Sequence, residues 1–216
     1  MLGESFLDFF VFIILLMIIY MYLETRTYEV IYVKSNVDNK EYLVRNIADK
    51  QEASDLLART REKLVKVVDH LKGVSNEQVK EYSASDDEKK QKETQEGFDR
   101  LAKRFQPDNI SETTPNTKYT SYSVNKGQKI VFCLRDKGAD EKLVDDNIIM
   151  FVALHELAHI MTVSVGHTEE FWENFRILLR VAIALKLYKN QDYASSPVNY
   201  CGTKITDTPL KTSKAK

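Results

Sequence analysis

Residues 155–167 read HELAHIMTVSVGH and hold three of the chain's four histidines, with Glu156 directly after the first. His155 and His159 are four positions apart, so on a helix they project from one face about one turn apart and can meet on a single cation. Glu156 lies about 100° further round, where its carboxylate can reach a water held by that cation. This set suits one catalytic Zn²⁺, which takes three protein ligands, imidazole nitrogen at about 2.0–2.1 Å, and keeps a fourth position for water. His167 is the candidate third ligand. Gly166 before it can adopt the left-handed conformation that ends a helix and reverses the chain. The expected chemistry is hydrolysis of a peptide bond by zinc-activated water, with Glu156 as general base.

Positioning these residues requires a helix, a sharp stop and a return. Asp145 and Asp146 supply an N-cap and an acidic first turn, after which NIIMFVALHELAHIM is apolar and free of Gly and Pro, predicting a mostly buried helix. If that helix ran on to Val165, its end would lie about 9 Å beyond His159. The run TVSV consists of weak helix formers, so the helix is expected to loosen near Met161 or Thr162 and fold back. Thr168 then caps a second helix, with Glu169 and Glu170 in its first turn and an apolar stripe of Phe171, Phe175, Leu178, Leu179, Ala182 and Leu185. Trp172 is expected to anchor packing beside the site, and His70, which has no ligand type at metal spacing, reads as an ordinary boundary histidine.

The rest of the chain predicts an α+β zincin-like domain over residues 25–190. Residues 28–46 read as a hairpin, and Ala53, Leu56, Leu57, Leu64, Val67, Val68 and Leu71 mark one face of a helix. Residues 76–116 form a charged, partly irregular insert, Lys118 to Arg135 a second hairpin, and 191–216 an irregular tail. The strand KIVFCLR is the candidate edge to which an extended protein or peptide substrate adds. Tyr200, Tyr193 and Arg135 have the chemistry to stabilise an oxyanion, though the sequence places none of them. With a formal net charge of −1 and interspersed signs, nothing signals nucleic acid, and oligomeric state is not encoded. Cys133 and Cys201 are expected as reduced, partly buried thiols, since a bridge would imply an oxidising compartment.

Residues 1–24 read as an N-terminal transmembrane anchor. Residues 6–23 are apolar apart from Asp8, and eighteen residues rise about 27 Å against the roughly 30 Å of a bilayer's hydrocarbon. The flanks lack the basic start and small-residue cleavage site of a signal peptide, so the anchor is expected to be retained. Arg26 and Lys34 follow the run, placing the C-terminal domain on the cytoplasmic side by the positive-inside rule. The alternative to an enzyme is a membrane-tethered binding or scaffold protein whose zinc site is structural, closed by Cys133 or Cys201 as fourth ligand.

HELAH followed by GHTEEFW resembles the zincin metallopeptidases, most closely the WLM and SprT-like families, over roughly Asp145 to Leu187. The resemblance implies His155, His159 and His167 as zinc ligands and Glu156 as general base. A metzincin is excluded, because Thr162 stands where that family has glycine, Val165 where it has its third histidine, and no Met follows residue 161.

Overall fold

The computed structural model describes residues 2–26, 29–114, 117, 119–136 and 141–210, with the side chains of the first helix described from 8 to 22. That helix, α1 (Leu2–Arg26), stands where the membrane span is expected. Its apolar side chains from Phe9 to Tyr22 are between 39% and 66% exposed. Among the described residues no helix is long and apolar enough to cross a membrane. The side chains at 6, 7 and 23, which complete the expected span, lie outside the described residues.

The first hairpin forms from β1 (Val30–Lys34) and β2 (Glu41–Arg45), antiparallel as expected. β2 then pairs in parallel with β3 (Ile110–Glu112). Parallel neighbours need a long crossover, and three helices supply it: α2 (Lys50–Leu71), α3 (Asn76–Ser83) and α4 (Glu88–Arg104). The charged insert is thus more ordered than its composition suggests. Val79, Tyr82, Phe98 and Leu101 face the core, and the charges fill the opposite faces.

β4 (Tyr122–Val124) and β5 (Lys129–Phe132) make the second hairpin. β5 inserts parallel beside β3, giving the order β1-β2-β3-β5-β4. KIVFCLR is therefore an inner strand, and the expectation that it offers a free edge is corrected: β4 is the outermost strand at this end. The apolar stripe of α2 packs on β1, β2 and β3 with α5 (Asp146–Met161) behind it. α5 is buried nearly all round, with Leu154, Leu157, Ala158 and Ile160 fully enclosed, as an apolar helix without a polar face requires. α6 (Glu169–Ala184) runs back against it.

Residues 191–210 are not an irregular tail. They contain a two-stranded sheet, β6 (Val198–Tyr200) and β7 (Thr203–Ile205), turned by Cys201 and Gly202, both at positive φ. Cys201 is bonded to Cys133, just past β5, at an S–S distance of 2.05 Å, so the expectation of two reduced thiols is corrected. The hairpin could not bury enough apolar surface to stay docked alone, and the bridge fastens it to the sheet. Closing a loop across a sequence separation of 68 restricts the unfolded chain. Cys201→Ser is expected to lower stability by about 2–4 kcal/mol, read as a lower guanidinium midpoint. Wild type in reductant should match the variant, and an unchanged midpoint would refute the staple.

Candidate metal centre

α5 is capped by Asp145, whose side chain accepts from the backbone N–H of Asn147, and it ends at Met161. Thr162 is already extended, at φ −80° and ψ 140°, so the helix stops where its weak formers begin. The chain turns through Ser164 and Val165, and Gly166 takes φ +87° with open space around it. Thr168 caps α6 by accepting from the N–H of Phe171.

This reversal brings the three predicted imidazoles together. His155 Nε2 lies 3.2 Å from His159 Nε2 and 3.1 Å from His167 Nε2. Two nitrogens bound tetrahedrally at 2.0–2.1 Å are separated by about 3.3 Å, so the set has the size of one zinc coordination face. Hydrogen bonding fits it less well, since one Nε2 facing two others carries at most a single proton. The donor set therefore fits the metal that the spacing predicts. Burial pushes the His155 imidazole down to about 3, helped by its two histidine neighbours. Burial also lowers His159 to about 4, with His167 and Lys126 adding to it. Both rings are thus held in the neutral form that binds metal. The ring of Phe171 lies 4.4 Å from that of His159 and 4.6 Å from that of His167, closing the apolar side of the cluster. Trp172 packs beside it, tilted and 5.8 Å from the His167 ring, as the packing anchor expected.

Glu156 is only 4% exposed, and burial pushes its carboxyl up to about 8 against the lowering effect of the Ser123 backbone N–H on β4. These groups line a cleft of about 650 Å³. β4 and the residues before it form one wall, and the bridged C-terminal hairpin forms another through Tyr200, Thr203 and Ile205. Of the three oxyanion candidates, Tyr200 alone lines the cleft, with its hydroxyl 2.6 Å from Ser121 Oγ and donating to the carbonyl of Cys133 at 2.9 Å. Arg135 is withdrawn into ion pairs with Glu112 and Asp49, and Tyr193 packs on Phe151 in the core. His70 contacts Tyr82 at 2.9 Å, away from the centre. Sequence reasoning missed the C-terminal wall, although VNYCGTKI carries the two-residue turn ending in Gly between β-forming runs that marks a hairpin. It also missed Ser123, whose contribution is a backbone amide that no residue type reveals.

An α+β domain with three converging imidazoles and a buried glutamate in an open cleft makes a candidate metal centre with the HExxH spacing. Residues 100–215 match the WLM domain. An uncharacterized protein of Acanthamoeba polyphaga mimivirus is 34% identical over 183 residues, covering 85% of this chain and 86% of the relative. An uncharacterized protein of Invertebrate iridescent virus 6 is 39% identical over 82 residues, 38% of this chain and 44% of that relative. Among solved structures, Wss1 from Saccharomyces cerevisiae is similar at 22% identity with a TM-score of 0.34, covering 44% of this chain and 76% of that one. The chain belongs to the WLM family, whose members are zinc metalloproteases.

The buried carboxyl makes a pH prediction for the metal-free protein. Glu156 releases its proton near 8 when folded and at its ordinary 4.5 when unfolded. Its contribution to stability is thus fully present below 4.5 and lost as the pH rises through 8. His155 and His159, lowered from 6.5, act oppositely and cost stability as the pH falls below 6.5. Glu156→Gln, which cannot ionise, is expected to raise the thermal midpoint of chelator-treated protein at pH 8 and to change it little at pH 5. Equal shifts at both values would contradict the burial argument.

Proposed function

We propose that this chain is a membrane-tethered zinc metallopeptidase that hydrolyses peptide bonds. The observation that carries the reading is the convergence of three imidazoles beside a buried carboxyl, inside a cleft whose wall is an outer strand. His155, His159 and His167 would hold the metal. Zn²⁺, when bound, supplies Lewis acidity that lowers the pKa of water toward about 7 and polarises a carbonyl.

The chain's own groups do the rest. Glu156 takes the proton of the attacking water and later gives it to the leaving amine. Its apolar surroundings keep that proton from bulk solvent, and the Ser123 amide orients the carboxylate that receives it. β4, paired to β5 on one side only, offers backbone groups to an extended substrate, which fixes the scissile bond across the mouth of the site. The scaffold alternative needs a thiolate to close the metal's fourth position, and both cysteine sulfurs are committed to each other.

The tether is supported by α1, whose side chains from Phe9 to Tyr22 are apolar or aromatic and exposed around the whole helix, an arrangement suited to lipid. The bridge fits an oxidising setting. It weighs against the cytoplasmic placement that Arg26 and Lys34 suggest, so we place the domain on the opposite side.

The test uses the full chain in detergent, with bound zinc and cleavage of a denatured protein substrate measured together. Glu156→Gln is expected to keep its zinc and lose about 10²–10⁴-fold in turnover. His167→Ala is expected to lose metal affinity and activity together. Cleavage by Glu156→Gln at the wild-type rate would end the proposal.

A further inference from the structure

The segment between His159 and His167 leaves the core part-way along. Ile160, Met161 and Thr162 are buried, whereas Val163 and Val165 are 63% and 87% exposed, so from Val163 onward polar contacts rather than apolar packing hold the turn. On its amide side, the Glu170 carboxylate accepts from the N–H of Val163 at 2.7 Å and of Ser164 at 3.1 Å. On its carbonyl side sits one ammonium. Lys126 Nζ donates to the carbonyls of Ser164 at 2.7 Å, Thr162 at 3.0 Å and His159 at 3.3 Å, with Val163 at 3.5 Å. Arg100 takes the carbonyl of Met161. The orphan carbonyls at the end of α5 are therefore collected by cations, which also oppose the negative end of the helix dipole.

Lys126 is expensive where it stands. It is the middle of three consecutive positive-φ residues in the β4–β5 turn, at φ +53° between Asn125 and Gly127. Asn and Gly tolerate that region, whereas Lys is disfavoured there. The turn itself has no use for a long cationic side chain. The four carbonyls do.

We propose that Lys126 is a positioning residue for the metal centre, clamping the reversal so that His167 is delivered to the same point as His155 and His159. The assignment rests on the metal-centre reading above and deepens it. The Lys126 ammonium is spent on backbone carbonyls of the reversal. It acts through the backbone that carries the second ligand and leads to the third, and outer groups that orient ligands typically govern 10–100-fold in metal affinity.

The test is a double-mutant cycle on the full chain in detergent, with Zn²⁺ affinity from chelator competition and the visible spectrum of the Co²⁺ form as readouts. Lys126→Met keeps the aliphatic stem and removes the ammonium. It should weaken Zn²⁺ binding about 10–100-fold and alter the Co²⁺ bands. In a His167→Ala background the same change should have little further effect, because the ligand it positions is gone. A general structural role would give equal losses in both backgrounds, and that result overturns the proposal, as does a Lys126→Met protein with wild-type affinity and spectrum. If Lys126→Met fails to fold, Lys126→Gln replaces it in the cycle with the same expectations. Wild-type protein that binds neither Zn²⁺ nor Co²⁺ would instead defeat the metal-centre reading itself.

Discussion

Two imidazoles one helical turn apart define a line and leave a metal open on most of its sides. Everything else in the structure depends on returning a third from beyond the helix end. The return is short: α5 stops at Met161, the chain turns at Gly166, and α6 starts at Glu169. Such a turn carries backbone donors and acceptors that lack regular partners, and their satisfaction is a complete accounting problem. Glu170 answers for the amides, Lys126 and Arg100 for the carbonyls. The side chains of Ser164 and Thr168 join across it at 2.7 Å.

The same convergence is costly without metal. Burial holds two histidines neutral and drives Glu156 toward its protonated form, so the site works against the stability of the metal-free chain on both sides of neutrality. The fold offsets this by enclosing α5 between α2, α4 and α6, where Leu154, Leu157 and Ile160 are fully buried. Each such side chain contributes about 1.5–3 kcal/mol. A helix polar on one face could not be held as firmly, which is why the metal-binding residues interrupt an otherwise apolar run.

Local signals made the centre legible. Asp145, the weak formers after Met161, Gly166 and Thr168 each act within a few residues of themselves, so the helix ends and the reversal could be read directly. What the sequence hid is set by distant partners. Cys133 and Cys201 lack the close spacing that announces a pair, and their bridge depends on a hairpin docking on the sheet. KIVFCLR lies just upstream of the HELAH helix in the sequence, which suggests an edge beside the site, but its parallel insertion next to β3 leaves β4 outside. Asn125, Lys126 and Gly127 announced a turn, but nothing in their order says that the lysine reaches back to another element.

That hairpin joins functions that are separate in the sequence. Its outer strand lines the cleft, its Ser123 amide meets the Glu156 carboxyl, and its turn grips the segment that leads to His167. Its fit is close, since a Cβ on Gly127 would stand 2.8 Å from the carbonyl of Arg104 and 3.0 Å from Ile160 on α5. Base, ligand and substrate wall are thus referred to one small, tightly seated element. A shift of the turn would displace all three together, whereas the opposite wall is fastened separately, through the Cys133–Cys201 bridge and the Tyr200 hydroxyl.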